Sequence, residues 1–335
     1  MDENIVKSTN FPLVSVLLPV YNGEKYVSDT IKSILNQTYT NIELIIINDC
    51  STDQSEEIIL SFNDNRINYF KNEINLKLIK TLNKGVLLSK GKYIVRIDAD
   101  DIAVVDRIQK QVAFMESNSE YIVAGSYVQL IKNNVLSADV VKYHQFNEDI
   151  KFSLIFNCPF IHPSMIIRTA VFQQFDITFN ESFVHAEDYA LWIELAYLGK
   201  FYNIPEVLTY YRIHDEQISV KHIDFQINQM RKLQLIYLKQ NLGNNFSDDE
   251  INDLFFSNSA KYSEKRLKLL LRFYKKSNFT GGYKERFILH EIKNLFLEID
   301  KLNLRSIFTK PLNSIYSKLN FSLKQKIVII LKIRL

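Results

Sequence analysis

The chain has 335 residues, of which 47% are hydrophobic and 24% charged, a globular composition with room for one large domain and a smaller one. Its charge is uneven, because residues 221–335 hold 22 basic and 10 acidic side chains (+12), which leaves −9 for the first 220. With only two cysteines, a disulfide scaffold is not expected. The sequence shows no basic and apolar leader and no run of about 18 apolar residues, so neither secretion nor membrane spanning is expected, and we predict a cytoplasmic protein.

Strands and helices alternate in the first hundred residues. Apolar runs typical of buried strands occur four times, at Val14–Pro19, at Ile42–Ile47, at Ile67–Phe70 and from Tyr93. Between them, apolar residues at helical spacing predict helices around Ile31–Leu35, around Ile58–Phe62 and over Leu76–Ser89, where Leu82 and Leu87 are expected to point inward. This alternation predicts a parallel sheet covered on both faces, with ligands at the carboxyl ends of its strands.

From residue 102 the pattern is mixed, and from about residue 220 it is helical. We predict a hairpin in which an Asn133-Asn134 turn joins extended segments at Ile122–Ile131 and Val135–Tyr143. Further extended segments are predicted at Ser164–Arg168 and at Phe201–Tyr211, the latter with a break at Pro205. Helices are predicted at Val105–Glu116 and Asp188–Leu198. The fold class is therefore α/β over residues 1–220, a mixed sheet with helices on both faces, followed by a smaller all-α region over residues 221–335.

Three carboxylates, Asp98, Asp100 and Asp101, directly follow the strand that begins at Tyr93. Crowded carboxylates repel one another unless a cation neutralises them, and hard oxygen ligands suit Mg²⁺ or Mn²⁺. Because such ions are usually shared with substrate phosphates, the cluster predicts a nucleotide or diphosphate site. The alternative is that Asp100 or Asp101 caps the following helix, a role that needs only one of the three.

Polar residues also follow the second predicted strand. Ser51 and Gln54 match a capping box for the next helix, and Asp53 suits the amino end of its dipole. Capping does not require Asp49, which we therefore assign a functional role in holding a base or ribose.

Two later motifs are candidates for chemistry. Glu187 and Asp188 precede an apolar helix, where they either complement its dipole or supply a general base whose pKa is raised in an apolar cleft. Arg212 and His214 lie on one face of the last predicted strand. Arg suits a diphosphate, and His can ligate a metal, although a lone His is more often a surface group.

Seven sequence blocks in order link residues 1–220 to a known family. They are VSVLLPVYN at 14–22, SILNQT at 33–38, NDCSTD at 48–53, LNKG at 82–85, RIDADD at 96–101, EDYALW at 187–192 and YYRIH at 210–214. In these blocks the chain closely resembles the inverting glycosyltransferase family 2, whose members share the GT-A fold. No Gln-x-x-Arg-Trp motif of the processive relatives occurs, so the resemblance implies transfer of one sugar per encounter.

The resemblance assigns roles around the nucleotide. Seven positions match residues that line the nucleotide or flank its sugar: Pro19, Tyr21, Glu24, Asp49, Lys80, Asn83 and Arg96. The chain departs from the family pattern at Asn48, where Asp is usual, at Cys50, where Gly is usual, and at Leu76, where Gly often follows the asparagine. These departures leave the identity of the base open.

The resemblance also assigns the catalytic and metal-binding roles. The positions concerned are Asp98, Asp100, Glu187, Asp188, Arg212 and His214. Asp98 and Asp100 match the Asp-x-Asp signature that contacts the ribose and a divalent cation, Mn²⁺ or Mg²⁺. Arg212 and His214 match a lid on the diphosphate, where His214 is a further metal ligand, and Asp188 matches the catalytic base of the Glu187-Asp188 pair.

The implied reaction is transfer of a hexose or N-acetylhexosamine from a nucleotide-sugar donor, expected to be a UDP-sugar. The expected acceptor is a hydroxyl of a glycan or lipid-linked glycan, such as a precursor of a cell-surface polysaccharide or lipopolysaccharide. Nucleic acid is not an expected partner.

The last residues carry a separate prediction. Leu323–Leu335 alternates lysine and apolar residues and fits a basic amphipathic segment on an anionic membrane, at the inner face of the cell membrane, where lipid-linked acceptors are found. The alternatives are packing on its own domain and a contact between two copies in a homodimer.

Two other function classes are alternatives. A metal-dependent nucleotidyltransferase would usually need a glycine-rich basic loop after the first strand, and residues 20–25 hold a single glycine. An inactive nucleotide- or carbohydrate-binding module would keep Asp49 and lose Asp188.

Overall fold

The computed structural model describes residues 11–214, 223–256, 264–288 and 290–291. The chain forms two compact units, Met1–Leu233 and Gln234–Leu335. The sequence predicts a boundary near residue 220. That position lies within residues 215–222, which are outside the described residues, so the boundary stays a prediction.

The amino-terminal half of the first unit alternates strands and helices, as predicted. Its elements are β1 (Val14–Val20), α1 (Val27–Leu35), β2 (Ile42–Asn48), α2 (Ser55–Leu60), β3 (Ile67–Lys71), α3 (Lys77–Leu88) and β4 (Tyr93–Arg96). The strands are parallel and lie in the order β3–β2–β1–β4. Their carboxyl ends therefore meet at one edge, where open α/β sheets bind ligands.

The core of this half consists of the inner strands and the helices beside them. β2 is buried along its whole length, as expected for a strand covered on both faces. Val27, Ile31 and Ile34 of α1 join the same core, and each such buried side chain contributes about 1.5–3 kcal/mol. The predicted inward position of Leu82 in α3 is confirmed, because Leu82 is buried. The predicted inward position of Leu87 is wrong, because this side chain is 86% exposed.

The second half of this unit adds antiparallel strands to the sheet. Its elements are β5 (Ile102–Ala103), α4 (Arg107–Ser117), β6 (Tyr121–Lys132), β7 (Val135–Val141), α5 (Asn147–Ser153), β8 (Ile166–Arg168), α6 (Ala170–Phe175), α7 (Glu187–Leu195) and β9 (Lys200–Ile213). The order continues from β4 to β8, β6, β9 and β5, and β7 pairs with β6. The sheet is therefore mixed, and the predicted α/β class is confirmed.

Two sequence signals in this half have different outcomes. The Asn133-Asn134 turn forms the predicted hairpin, and both asparagines have positive φ (51° and 61°). The predicted break at Pro205 is wrong, because β9 runs on to Ile213. The register with β6 shifts there, since Ile204 pairs with Ser126 and the next pair is at residue 207, so the proline needs no ladder hydrogen bond.

The described part of the second unit is helical. α8 (Ile223–Leu242) includes the boundary between the units, and α9 (Asp248–Phe255), α10 (Glu264–Lys276) and a helix over 282–288 follow. A capping box of Ser247 and Glu250 starts α9, and the rings of Phe255 and Phe273 meet at 5.1 Å. No helix among the described residues is long and apolar enough to cross a bilayer. The predicted membrane-surface segment, residues 323–335, lies outside the described residues.

Candidate functional site

The loops after β1 and β2 are bonded to each other at the carboxyl edge of the sheet. Asn22 N donates to Ser51 Oγ at 3.0 Å. Glu24 N donates to Asp53 Oδ2 at 3.0 Å, and Gln54 N donates to Glu24 Oε2 at 2.9 Å. The side chain of the N-cap residue Gln54 makes no capping hydrogen bond, and Asp53 Oδ1 accepts one from Ser55 N at 3.0 Å, so the predicted capping box of Ser51 and Gln54 is wrong. Glu24, a predicted nucleotide-binding residue, helps to fix this edge.

Asp49 is buried and lies between β2 and α3. Its Oδ1 accepts hydrogen bonds from Asn72 Nδ2 and Leu76 N, both at 2.8 Å, and its Oδ2 accepts one from Lys77 N at 2.9 Å. This carboxylate thus holds the start of α3, a structural role that sequence analysis missed. Two carboxylate oxygens offer about four acceptor positions, so three bonds leave one for a ligand. The nucleotide role of Asp49 stays a prediction.

The other predicted nucleotide residues of this edge lie on β1 and α3. Pro19 is in β1, and Tyr21 directly after that strand is 52% exposed. On α3, Lys80 Nζ lies 3.6 Å from Glu181 Oε2. Asn83 Nδ2 donates to Phe179 O at 2.9 Å, and its Oδ1 accepts from Phe179 N at 2.8 Å. These contacts tie α3 to the loop that leads into α7.

Three carboxylates converge after β4. One oxygen each from Asp98, Asp100 and Asp101 lies within 4.8 Å of the other two. Asp101 is fully buried, and its Oδ1 accepts from Arg212 N at 2.9 Å while its Oδ2 has no hydrogen-bond partner. Burial and the neighbouring carboxylates raise the pKa of Asp101 well above its usual range. A cation would relieve this repulsion, so the donor set fits a divalent ion with oxygen ligands.

The end of β9 lies against this cluster. His214 Nε2 lies 2.9 Å from Asp100 Oδ2, and Arg212 Nε donates to Asp100 O at 2.8 Å. The guanidinium of Arg212 also lies 4.3 Å from the ring centroid of Tyr26. Arg212 and His214 thus both contact Asp100, a predicted metal ligand.

The Glu187-Asp188 pair occupies the first turn of α7, where the helix dipole favours negative charge. Asp188 Oδ1 accepts from Tyr189 N at 2.7 Å, and its Oδ2 lies 3.6 Å from Cys158 Sγ. Burial raises the pKa of Asp188. Burial, and then the charge of Asp188, raise the pKa of Glu187 to about 7. A carboxylate with a raised pKa is chemically suited to accept a proton near neutral pH.

Arg96 connects the two carboxylate groups. Its side chain is buried, donates a hydrogen bond to Asp98, and has no partner for Nε. Burial raises the pKa of Asp98 to about 6, the charge of Arg96 opposes this rise, and the charge of Asp188 adds to it. Arg96 also lowers the pKa of Asp188. The predicted metal ligands and the predicted base therefore share one electrostatic environment around a buried guanidinium.

Sequence analysis missed other groups at this site. Burial raises the pKa of Tyr211, and the three clustered aspartates add to the rise. Burial also raises the pKa of Tyr143, followed by the charges of Cys158 and Asp188, and burial lowers the pKa of His162. Among Tyr211, Tyr143 and His162, Tyr211 alone had a sequence signal, which is its position beside Arg212 in the YYRIH block.

Comparisons with known proteins identify related glycosyltransferases. The sequence model described as "Glycosyl transferase family 2" matches residues 15–175. An uncharacterized glycosyltransferase of Haemophilus influenzae is 35% identical over 325 residues, which cover 92% of this chain and 99% of that protein. The Escherichia coli UDP-Glc:alpha-D-GlcNAc-diphosphoundecaprenol beta-1,3-glucosyltransferase WfaP is 32% identical over 229 residues, which cover 68% of this chain and 88% of WfaP.

A solved structure shares the fold. S. aureus TarS 1-349 in complex with UDP-GlcNAc superimposes with a TM-score of 0.56 and 20% identity, covering 84% of this chain and 78% of that chain. At this level of identity the likeness concerns the fold alone, whereas the Haemophilus influenzae relative matches along almost the whole sequence.

Proposed function

The chain belongs to glycosyltransferase family 2, and on that premise we propose that it moves one sugar from a nucleoside diphosphate donor to an acceptor hydroxyl with inversion at the anomeric carbon. The observation that carries this proposal is the arrangement around Arg96, which donates a hydrogen bond to Asp98 and whose charge opposes the burial-driven rise in the pKa of Asp188. A diphosphate at the aspartate cluster and an acceptor hydroxyl at Asp188 would then both lie near Arg96.

We propose uridine as the base of the donor. The relative WfaP is named for UDP-Glc, and the TarS structure holds UDP-GlcNAc, which also supports a hexose or an N-acetylhexosamine as the sugar. The fourth acceptor position of the Asp49 carboxylate and the exposed ring of Tyr21 suit an imide N–H and a base face respectively. Pro19 and Glu24 lie on the same edge, whereas Lys80 and Asn83 are proposed to flank the sugar.

Asp98, Asp100 and His214 are proposed to hold a divalent cation, Mn²⁺ or Mg²⁺. Bound there, the ion would act as a Lewis acid that offsets negative charge on the leaving diphosphate. The chain's own contribution is Arg212, whose guanidinium can bind phosphate oxygens in a bidentate manner.

Asp188 is proposed as the general base. Its carboxylate removes the proton of the acceptor hydroxyl, the oxygen attacks the anomeric carbon, and the bond from that carbon to the diphosphate oxygen breaks. The proton stays on Asp188, and the nucleoside diphosphate leaves with the bonding electrons. A single displacement of this kind inverts the anomeric configuration and passes through an oxocarbenium-like transition state.

The acceptor is proposed to be a precursor of a cell-surface polysaccharide, lipopolysaccharide or related glycoconjugate. The name of WfaP describes a lipid-linked acceptor, which supports this choice. An acceptor of that kind would bring a cytoplasmic enzyme to the inner face of the cell membrane. The excess of basic residues in residues 221–335 would favour an anionic lipid surface.

A donor screen tests the proposal. The full chain is incubated with a panel of UDP-, GDP- and TDP-sugars and simple glycoside acceptors, with Mn²⁺ or with a chelator, and released nucleoside diphosphate is measured. We expect release from a UDP-sugar that depends on the metal, and a product whose anomeric configuration, determined by NMR, is opposite to that of the donor. Retention of the anomeric configuration would contradict the proposal, and so would the absence of turnover with every nucleotide sugar in the panel.

A further inference from the structure

We propose that Cys158 is a positioning residue that holds the carboxylate of Asp188 in its catalytic orientation, an inference that rests on the proposed function. Cys158 Sγ lies 3.6 Å from Asp188 Oδ2 and 3.4 Å from Phe160 O. The thiol has one proton, and the charged carboxylate is the stronger acceptor of the two. Tyr189 N, at 2.7 Å, donates to the other carboxylate oxygen. Two donors on opposite oxygens fix the rotation of the carboxylate.

The thiol can serve as a donor only while it keeps its proton. Burial raises the pKa of Cys158 well above its usual range, and the charge of Asp188 raises it further. The thiol is therefore neutral over the range in which Asp188 titrates. A neutral, weak donor orients the carboxylate and lowers its pKa, although less than a stronger donor would.

Other charged and titratable groups also act on Asp188. They are Glu187 on the same helix, Arg96 at the end of β4, Asp98 after β4 and Tyr143 before α5. A substitution at position 158 leaves all of these groups in place. A change in the titration of Asp188 in such a variant therefore reports the thiol alone.

Two variants separate positioning from packing. Cys158→Ala removes the donor, so we expect kcat to fall on the order of tenfold and the acidic limb of the kcat/KM profile to move to higher pH, because the charged form of the base loses a hydrogen bond. Cys158→Ser keeps an O–H donor, so we expect partial recovery of kcat and an acidic limb below that of the alanine variant. The KM for the donor should change little in both. If packing were the only role, both variants would lose thermal stability and kcat without any movement of the limb.

A spectroscopic measurement tests the contact without catalysis. The S–H stretching band of the full chain is recorded in Cys50→Ser, where Cys158 is the one remaining thiol, and in the same protein with Asp188→Asn. We expect the band at lower frequency with Asp188, a further decrease as Asp188 loses its proton on raising the pH, and no such pH response with asparagine. The kinetic control is Cys50→Ser alone, whose acidic limb should coincide with that of the wild type.

The outcomes distinguish this inference from the proposed function. An S–H band that is insensitive to Asp188→Asn overturns the positioning role, as do identical acidic limbs in the wild type and Cys158→Ala. If the wild type turns over no nucleotide sugar, the proposed function fails, and the S–H band by itself then decides whether the thiol holds the carboxylate.

Discussion

His214 Nε2 lies 2.9 Å from Asp100 Oδ2, although 114 positions separate the two residues in the sequence. The contact exists because β9 ends beside the loop that follows β4, where Arg212 also bonds to the backbone of Asp100. The imidazole and this carboxylate lie beside two further carboxylates. Together they form a set of nitrogen and oxygen ligands, and a divalent ion bound among them would replace the hydrogen bond with metal–ligand bonds. The contact therefore places His214 within reach of a cation held by Asp100.

His214→Ala should weaken the response to metal. Loss of one ligand is expected to raise the Mn²⁺ concentration needed for half-maximal stabilisation by UDP about tenfold or more, because comparable losses around metal sites cost 10–100-fold. The measurement is the thermal unfolding midpoint in UDP over a Mn²⁺ titration. His290→Ala, a change of an exposed imidazole in the second unit, is the matched control. An unchanged Mn²⁺ midpoint in His214→Ala would remove this residue from the metal site.

Asp188→Asn should abolish turnover and keep donor binding. A positioned general base contributes about 10²–10⁴-fold, so kcat should fall by that factor, while UDP with Mn²⁺ should still raise the unfolding midpoint as in the wild type. The control Asp176→Asn changes an exposed aspartate with φ of +52°, a backbone conformation that asparagine adopts equally well. Loss of UDP stabilisation together with turnover would indicate a binding role for Asp188.

Glu187→Gln should alter the pH dependence of stability. Burial raises the pKa of Glu187 from 4.5 to about 7 in the folded chain. Between these values the folded chain holds a proton that the unfolded chain releases, so the free energy of unfolding falls as the pH rises through this window. Glutamine does not titrate, so the stability of Glu187→Gln does not fall in this window. Its free energy of unfolding should equal that of the wild type near pH 4.5 and exceed it by on the order of 2–3 kcal/mol at pH 8.

Urea unfolding at the two pH values measures this difference, with Glu57→Gln, an exposed carboxylate in the first turn of α2, as the control. A variant that is no more stable than the wild type at pH 8 would show that the folded chain already compensates the charge of Glu187.

The sequence was most informative where local patterns decide the structure. The runs that became β1, β2 and β4 are apolar without interruption, and the Asn133-Asn134 pair supplied the two positive φ angles of a tight hairpin. Motif spacing also located the Asp98 cluster and the Glu187-Asp188 pair. The structure adds that Arg96 acts on both.

Long-range packing decided the features that the sequence did not show. Pro205 was predicted to break a strand, but the register shift against β6 accommodates it. Cys158 lies 30 positions before Asp188, and no local pattern indicates that the loop after α5 brings the two together. The sequence predicts a functional role for Asp49, yet its partners at Asn72, Leu76 and Lys77 depend on how the loop before α3 folds back.

Asp49→Asn should reduce stability even without nucleotide. The carboxylate accepts from Lys77 N with one oxygen and from Asn72 and Leu76 with the other, and Lys77 has a φ of +71°, in the left-handed region. Asparagine keeps one acceptor oxygen, and its NH₂ group would then face an N–H donor. A buried donor left without an acceptor costs about 1–3 kcal/mol, so the urea midpoint should fall accordingly.

Asp29→Asn is the matched control, because Asp29 is an exposed carboxylate in the first turn of α1 and its loss should cost only about 0.3–1 kcal/mol. Nucleotide binding is measured separately, as the UDP-induced rise of the unfolding midpoint in each variant. If Asp49→Asn unfolds at the wild-type urea concentration and loses only the response to UDP, the carboxylate serves the ligand and not α3. If Asp49→Asn unfolds at a lower urea concentration than the wild type and is still stabilised by UDP, the main role of the carboxylate is to hold the start of α3. A carboxylate needed by the base could not be replaced without loss of UDP binding.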